Sequence, residues 1–316
     1  MIRTILVPLD TSSFSEQALP LARTIAAHSP PDPAPTLHLV HVHVPVYGAG
    51  MGDPAMGGMP ILDDHLDAAA RHSEAQYLEA LSTQLHQTTG LHGMGVVLDG
   101  PVAAAVAEHA AAIHADLIVL TTHGRGGMAR MWLGSVADAL LRHGGVPVVV
   151  VRPLDTPPLL EPGAPITRIL IPLDGSALAE QVLDPACTLG DRVGASYLLL
   201  HVFPAFPVSG YASGVDAATL TQMEQRARAD MEDYLTTVAA RLHAAGRVVD
   251  TAVCSDEQPA SAILETARQR GADLIAVTTH GRSGVRRWLL GSMADKVVRA
   301  AHTPVLVYHP QENGTA

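Results

Sequence analysis

Two segments of this chain carry nearly the same residues at the same spacing. Residues 121–135 read TTHGRGGMARMWLGS, and residues 278–292 read TTHGRSGVRRWLLGS. Each copy follows a short apolar run and precedes a helical pattern. Glycines between a buried strand and a helix start allow backbone N–H groups to face a phosphate. The chemistry indicated is binding of a nucleotide or another anion, at two places in the chain.

The repetition extends over most of the sequence. Pro8 matches Pro172 at an offset of 164 residues (172 − 8), and His41 matches His201 at an offset of 160 (201 − 41). Pro147 matches Pro304 at 157 (304 − 147). Small deletions in the second copy explain the falling offset. We predict a tandem duplication with domains at 1–153 and 167–310, a proline-rich linker at 154–166 and a tail at 311–316.

Each repeat alternates short Val/Ile/Leu runs with helical spacing. Such runs are typical of parallel strands buried on both faces. We therefore predict an α/β fold: two tandem, open, mostly parallel five-stranded sheets with helices on both faces, Rossmann-like in design. Ligands of such sheets bind beyond the carboxyl ends of the strands. The apolar ends 147–151 and 304–308 are predicted edge strands, which favours pseudo-symmetric packing of the two repeats and a homodimer.

Composition restricts the partners and the location. The net charge is −11 and Lys296 is the single lysine, which argues against nucleic acid or an anionic membrane as the main partner. The isolated Cys187 and Cys254 indicate a reducing interior rather than a disulfide framework. No apolar run is long enough to span a membrane. We expect a cytoplasmic protein.

With these motifs the chain resembles the universal stress protein family in its tandem form, whose fold is also called adenine nucleotide alpha hydrolase-like. The ATP-binding members carry Pro-x-Asp after the first strand, a valine at the end of the second, and Gly-x-x-Gly, nine residues, then Gly-Ser/Thr. The resemblance implies an ATP site, with Mg²⁺ as a further component, in each repeat. The implied residues in the first repeat are Pro8, Asp10, Val42, Thr121, Gly124, Gly134, Ser135 and Val136. Those in the second are Pro172, Asp174, Val202, Thr278, Gly281, Gly291, Ser292 and Met293.

One departure from the family pattern occurs in both repeats. Thr121 and Thr278 occupy the position of the first glycine of Gly-x-x-Gly. A Cβ restricts the backbone there and alters contact with a base or ribose.

Other site residues have two interpretations each. Asp10 and Asp174 either accept hydrogen bonds from a ribose or adenine, or close a turn. Gly134-Ser135 and Gly291-Ser292 either hold phosphate or simply start a helix. His123 and His280 are better explained as loop braces than as acid–base groups. His41 and His43 beside the Met/Gly-rich loop 48–59 suggest a soft-metal site, but an adaptable contact loop is favoured and no metal residue is assigned.

Three functions follow from these patterns. The favoured one is an ATP-binding stress-response regulator that acts through nucleotide occupancy. The second is a slow ATPase or phosphotransferase at the same crevice, although the P-loop pattern is absent. The third is an interaction scaffold without nucleotide, suggested by Thr121 and Thr278. No catalytic residue is assigned.

Overall fold

The computed structural model describes residues 1–27, 35–48, 61–122, 133–143, 145–153, 164–203, 217–280 and 290–310. Of the predicted site residues, Gly124 and Gly281 lie outside these ranges. So do His123, most of the linker, nearly all of the Met/Gly-rich loop and the tail.

The first half contains seven strands and four helices within the described residues. The strands are β1 (Thr4–Pro8), β2 (Thr36–Val42), β3 (Tyr47–Gly48), β4 (Ile61–Leu62), β5 (His92–Leu98), β6 (Leu117–Thr121) and β7 (Val148–Val151). The helices are α1 (Leu19–Ala27), α2 (Asp64–Thr89), α3 (Val102–Ala112) and α4 (Ser135–His143).

The second half repeats this order without the short β3–β4 hairpin in its described part. Its strands are β8 (Arg168–Pro172), β9 (Ser196–Phe203), β10 (Val249–Ser255), β11 (Leu274–Thr278) and β12 (Val305–Tyr308). Its helices are α5 (Ala177–Glu180), α6 (Leu183–Val193), α7 (Ala217–Ala244), α8 (Pro259–Gln269) and α9 (Ser292–Ala300).

The strand order is the same in both halves. The first half runs β5-β2-β1-β6-β7 and the second β10-β9-β8-β11-β12, with all neighbours inside a half parallel. This confirms the predicted fold class. Chain order reverses between β1 and β6, and again between β8 and β11. Those two positions are where an open parallel sheet offers a crevice for a ligand.

The two predicted sheets are joined into one. β7 and β12 pair antiparallel, with Leu306 opposite Val149, so the structure has a single ten-stranded sheet. The two apolar runs predicted as edges therefore cover each other within one chain, and the outer strands are β5 and β10. The halves meet as a pseudo-symmetric pair across this junction.

The core consists of two aliphatic layers, one on each face of the sheet. Along β1, Ile5 and Val7 enter one layer and Leu6 enters the other, as the alternation of a strand requires. Helices α1, α2, α6 and α7 cover the first face, and α3, α4, α8 and α9 cover the second. No described helix is both long and apolar enough to cross a lipid bilayer.

A single arginine links the halves on the first face. The guanidinium of Arg192, in α6, donates to the carbonyl oxygens of Ile2 and Ile25 at 2.7 Å each and of Ala26 at 3.2 Å. The last two carbonyls belong to the final turn of α1, where helix geometry leaves carbonyl groups without intrahelical donors. Arg192 thus caps a helix of the other half.

Candidate functional site

A cavity of about 270 Å³ lies at the chain reversal of the second half. It is enclosed by the carboxyl ends of β8, β9 and β11 and by the first turn of α9. Seven of the residues predicted from the sequence line it: Pro172, Asp174, Val202, Thr278, Gly291, Ser292 and Met293. Residues up to about 120 positions apart in the chain thus converge on one cleft.

Asp174 lies in a tight turn after β8. Its Oδ1 accepts hydrogen bonds from the N–H and the O–H of Ser176, at 2.9 and 2.6 Å. Ser176 in turn accepts from the N–H of Ala179 at 3.1 Å and caps α5. The turn therefore fixes the carboxylate of Asp174 in the wall of the cavity. The two interpretations of this aspartate are compatible, because turn formation holds the side chain where a ligand would meet it.

Gly291 is required by close packing rather than by its backbone angles. Its N–H donates to the carbonyl oxygen of Thr279 at 2.7 Å. Its φ of −58° is available to any residue. A Cβ at this position, however, would lie only 2.7 Å from the same carbonyl oxygen. Residue 291 can lie this close to the Thr279 carbonyl group only because it has no side chain.

The first turn of α9 presents backbone donors to the cavity. α9 begins at Ser292, and the N–H groups of Ser292, Met293 and Ala294 have no acceptor within the helix itself. All three residues line the cavity. The helix dipole places partial positive charge at the same end. This end of the cleft is therefore suited to a negatively charged group.

Thr278, which replaces the first glycine of the family pattern, and the neighbouring Thr279 form hydrogen bonds with nearby residues through their hydroxyl groups. The Thr278 hydroxyl donates to the carbonyl oxygen of His280 at 2.8 Å. The Thr279 hydroxyl contacts Nδ1 of both His280 and His309 at 3.0 Å. His280 is thus held by a side-chain hydroxyl rather than by a backbone group. This contact fixes the His280 ring beside the end of β11.

The first half places its predicted residues at equivalent positions. Pro8, Val42 and Thr121 end β1, β2 and β6, and Ser135 and Val136 start α4. The Gly134 N–H donates to the carbonyl oxygen of Thr122 at 2.7 Å, as in the second half. The Oδ1 of Asp10 accepts from the N–H of Ser12 at 3.0 Å and from its hydroxyl.

Comparison with known proteins agrees with this geometry. The sequence profile of the universal stress protein family matches residues 1–152 and again residues 165–309. The chain belongs to the universal stress protein family. It is similar to a universal stress protein of Mycolicibacterium smegmatis, with 30% identity over 97% of each chain. A universal stress protein of Mycobacterium bovis is 31% identical over 61% of each chain.

Solved structures show the same fold for the whole chain. A universal stress protein from Archaeoglobus fulgidus superposes with a TM-score of 0.69, covering 97% of this chain and 98% of that one at 18% identity. A Pseudomonas aeruginosa protein of unknown function superposes with a TM-score of 0.65, covering 98% of this chain and 93% of that one at 18% identity. The tandem arrangement of this universal stress protein therefore has structural counterparts.

The strand-two histidines support the aspartate turns of this universal stress protein. Nδ1 of His41 donates to the carbonyl oxygen of Leu9 at 2.8 Å, and Nδ1 of His201 donates to that of Leu173 at 2.7 Å. Leu9 and Leu173 directly precede the two aspartates. Neither histidine was predicted as a site residue. The signal in the sequence was that the two histidines occupy matching positions, 160 residues apart.

A further group of interacting side chains in the first half was not predicted from the sequence. Here it is called the His43 network and consists of His43, Asp67, Arg71, Glu74 and Asp99. Nδ1 of His43 lies 2.8 Å from Oε2 of Glu74, and Nε2 lies 2.8 Å from Oδ1 of Asp67. Arg71 pairs with Asp67 and with Asp99. The network links α2 to the segment just after Val42.

The surroundings of the His43 ring favour its protonated form. Burial opposes protonation, but hydrogen bonds to Asp67 and Glu74 outweigh it and raise the pKa of His43. The hydrogen bond from His43 is the main cause that lowers the pKa of Asp67 to about 2. Both ring nitrogens therefore donate to carboxylates. With both ring nitrogens donating to carboxylates, His43 has no nitrogen lone pair left for a metal ion.

Proposed function

We propose that this universal stress protein binds ATP, with Mg²⁺, in the cavity of its second half and at the equivalent place in its first half. The observation that carries the proposal is the convergence of Asp174, Gly291 and the first turn of α9 on one cavity. Its volume of about 270 Å³ is close to the lower end of small-molecule sites, roughly 300–1,000 Å³.

The residues that line the cavity suit the phosphates, the ribose and the base of an adenine nucleotide. The N–H groups at the start of α9, which have no acceptor within the helix, and the Ser292 hydroxyl suit phosphate oxygens. The carboxylate of Asp174 suits a ribose hydroxyl or an adenine amine. Val202 and Ile263 supply apolar wall for a base or sugar. The absence of a Cβ at Gly291 lets the start of α9 pack against the Thr279 carbonyl group at the end of β11, which places the amides at the cavity.

We further propose that the protein works by nucleotide occupancy, as a stress-response regulator in the cytoplasm. The helix-start amides and a turn-bound aspartate are features of a binding site. The predicted homodimer is part of the proposal, since β5 and β10 leave two open sheet edges. Sedimentation equilibrium with and without ATP measures that association.

The first test is calorimetric titration with ATP and Mg²⁺. We expect a stoichiometry near two for the natural chain and near one for Gly291→Val or Gly134→Val, because a side chain there forces the helix start away from its loop. Lack of binding at millimolar ATP, or a stoichiometry near two in both variants, would overturn the proposal. Thermal unfolding without nucleotide shows whether each variant is folded.

A milder pair of variants tests the aspartate. Asp174→Asn keeps a side-chain oxygen for the turn but removes the charge, and we expect about tenfold weaker binding at the second site. Asp256→Asn is the matched control. Asp256 closes a similar turn by accepting from the N–H of Gln258 at 2.7 Å, outside the lining of the cavity. Equal affinities for both variants would exclude a ligand role for Asp174.

ATP turnover is measured in parallel. If phosphate release by the natural chain disappears in an Asp10→Ala, Asp174→Ala double variant, the protein is a slow ATPase at the same clefts. Under the occupancy proposal, we expect turnover no higher than in the double variant.

A further inference from the structure

A second group of side chains with unused ligand atoms lies in the first half, away from the cleft. His38 in β2 and His109 in α3 face each other, with ring centroids 5.9 Å apart and ring planes at 57°. Nδ1 of His38 and Nε2 of His109 are buried, and neither has a hydrogen-bond partner among the described residues. A buried polar atom without a partner is costly, so two of them at one contact indicate that something else occupies their lone pairs.

The third member of the group follows from strand register. His38 is paired with Met94 of β5 in the parallel ladder. Paired residues of parallel strands have their side chains on the same face, so Met94 lies beside His38 on the face covered by α3. This face of β2 and β5 also carries Val40, Val42 and Leu98, which pack in the layer under α3. Met94 is 51% exposed, so its thioether has room to move towards the two rings.

We propose that His38, Met94 and His109 form a binding site for one Cu(I) ion. The ligands are Nδ1 of His38, Nε2 of His109 and the sulfur of Met94. Thioether and imidazole together suit a soft monovalent ion. Two imidazoles that bind one ion through nitrogens at about 2 Å have ring centroids roughly 5–6 Å apart, which includes the observed separation.

The protonation of the two rings agrees with ligation. Burial and then the neighbouring His109 lower the pKa of His38, and burial lowers the pKa of His109. These lowered pKa values favour the neutral imidazole, the form that binds metals. His43 is the opposite case, since both of its ring nitrogens are engaged by carboxylates.

The site is specific to the first half and separate from the nucleotide cleft. His38 lies four residues before Val42, about 13 Å along β2 from the carboxyl end of the strand. The equivalent residues of the second half are Leu198 (198 − 38 = 160) and Thr266 (266 − 109 = 157), neither of which binds copper. In the described part of the chain, no three His, Cys, Asp or Glu side chains form a metal site. The proposed site takes its third ligand from methionine.

The test is an anaerobic titration of the full chain with Cu(I) in competition with bicinchoninate, a chelator whose Cu(I) complex is coloured. The variant His38→Leu, His109→Thr introduces the residues that the second half already accommodates at these positions. Loss of a group outside the ligand set costs roughly 10–100-fold in metal affinity, so loss of two ligands should weaken Cu(I) binding at least that much. Thermal unfolding of the metal-free variant checks its fold.

The matched control is His86→Gln, His92→Gln. This exposed pair has ring centroids 5.4 Å apart, and we expect its removal to leave Cu(I) affinity unchanged. The exposed Met94→Leu gives a second readout, loss of sulfur scattering at the copper K-edge with nitrogen scattering retained. The proposal is overturned if the chelator strips the natural chain as readily as the His38→Leu, His109→Thr variant, or if only the His86/His92 variant loses copper.

Discussion

The two halves share one backbone but hold their long helices in different ways. In the first half, the His43 network joins α2 to the end of β2 through charged groups. In the second half the position of His43 is Phe203 (203 − 43 = 160), and Glu74 is replaced by Met231 (231 − 74 = 157). Arg228, the counterpart of Arg71, lies over the Phe203 ring at 5.7 Å from its centroid.

The comparison shows that the fold places equivalent residues at the same position in both halves, whereas the residue types at that position determine which interaction forms. One other contact of the long helices is the same in both halves. Tyr77 donates to Glu16 at 2.8 Å, and Tyr234 donates to Glu180 at 3.1 Å. The difference between His43 and Phe203 lies next to the end of the second strand of each half, beside Val42 and Val202. An ionic network responds to pH, whereas a cation–aromatic contact of an arginine does not.

The largest effect is expected from His43→Phe, which introduces the second-half residue alone. Asp67 and Glu74 would lose their shared partner in a largely buried setting, where their side chains are 14% and 17% exposed. We expect the free energy of unfolding to fall by about 2–3 kcal/mol, measured by urea denaturation.

Two further variants show whether the loss of stability comes from the unpaired carboxylates. His43→Phe with Glu74→Met introduces both second-half residues and should recover at least half of the stability. His72→Phe, at an exposed position of the same helix, is the control and should change little. A His43→Phe protein with the urea midpoint of the natural chain would show that the network does not stabilise the first half.

A smaller effect is expected from pH. Because the pKa of His43 is raised in the folded state, its contribution is complete below the ordinary value of about 6.5 and is lost as pH rises through the folded value. The lowered pKa of Asp67, about 2, keeps that carboxylate charged throughout this range. The stability difference between the natural chain and His43→Phe should therefore shrink from pH 6 to pH 9. A difference that is constant with pH would mean that folding does not raise the pKa of His43.

The smallest effect concerns the aspartate turns. Thr11 follows Asp10 with a φ of 65°, whereas its counterpart Gly175 has a φ of 81°. A β-branched residue is strained there, so Thr11→Gly should stabilise the protein by about 1 kcal/mol and Gly175→Thr should destabilise it by at least as much. Thr11→Ala, which keeps the Cβ, should give only part of the increase in stability expected from Thr11→Gly. The measurement is again urea denaturation, and a loss of stability in Thr11→Gly would contradict the interpretation.

The cleft residues could be predicted because their signals are local and occur twice. Asp174 follows an apolar strand, Gly291 precedes a helical pattern, and the same order occurs at Asp10 and Gly134. Their convergence then follows from one rule for parallel sheets. The His43 network gave no such signal, because His43 and its partners are 24 and 31 residues apart and no second copy exists. The copper site was missed for the same reason.

The sequence alone determined the duplication, the alternating α/β elements and the residues that line the cavity of the second half, since these depend on short-range hydrophobic patterns and on turn chemistry. Only the tertiary structure decided that the two sheets fuse through β7 and β12. It also decided which face of α2 meets His43 and that His38, Met94 and His109 come together. These features depend on helix rotation and strand register, which are set by packing across the whole molecule and leave no periodic trace in the chain.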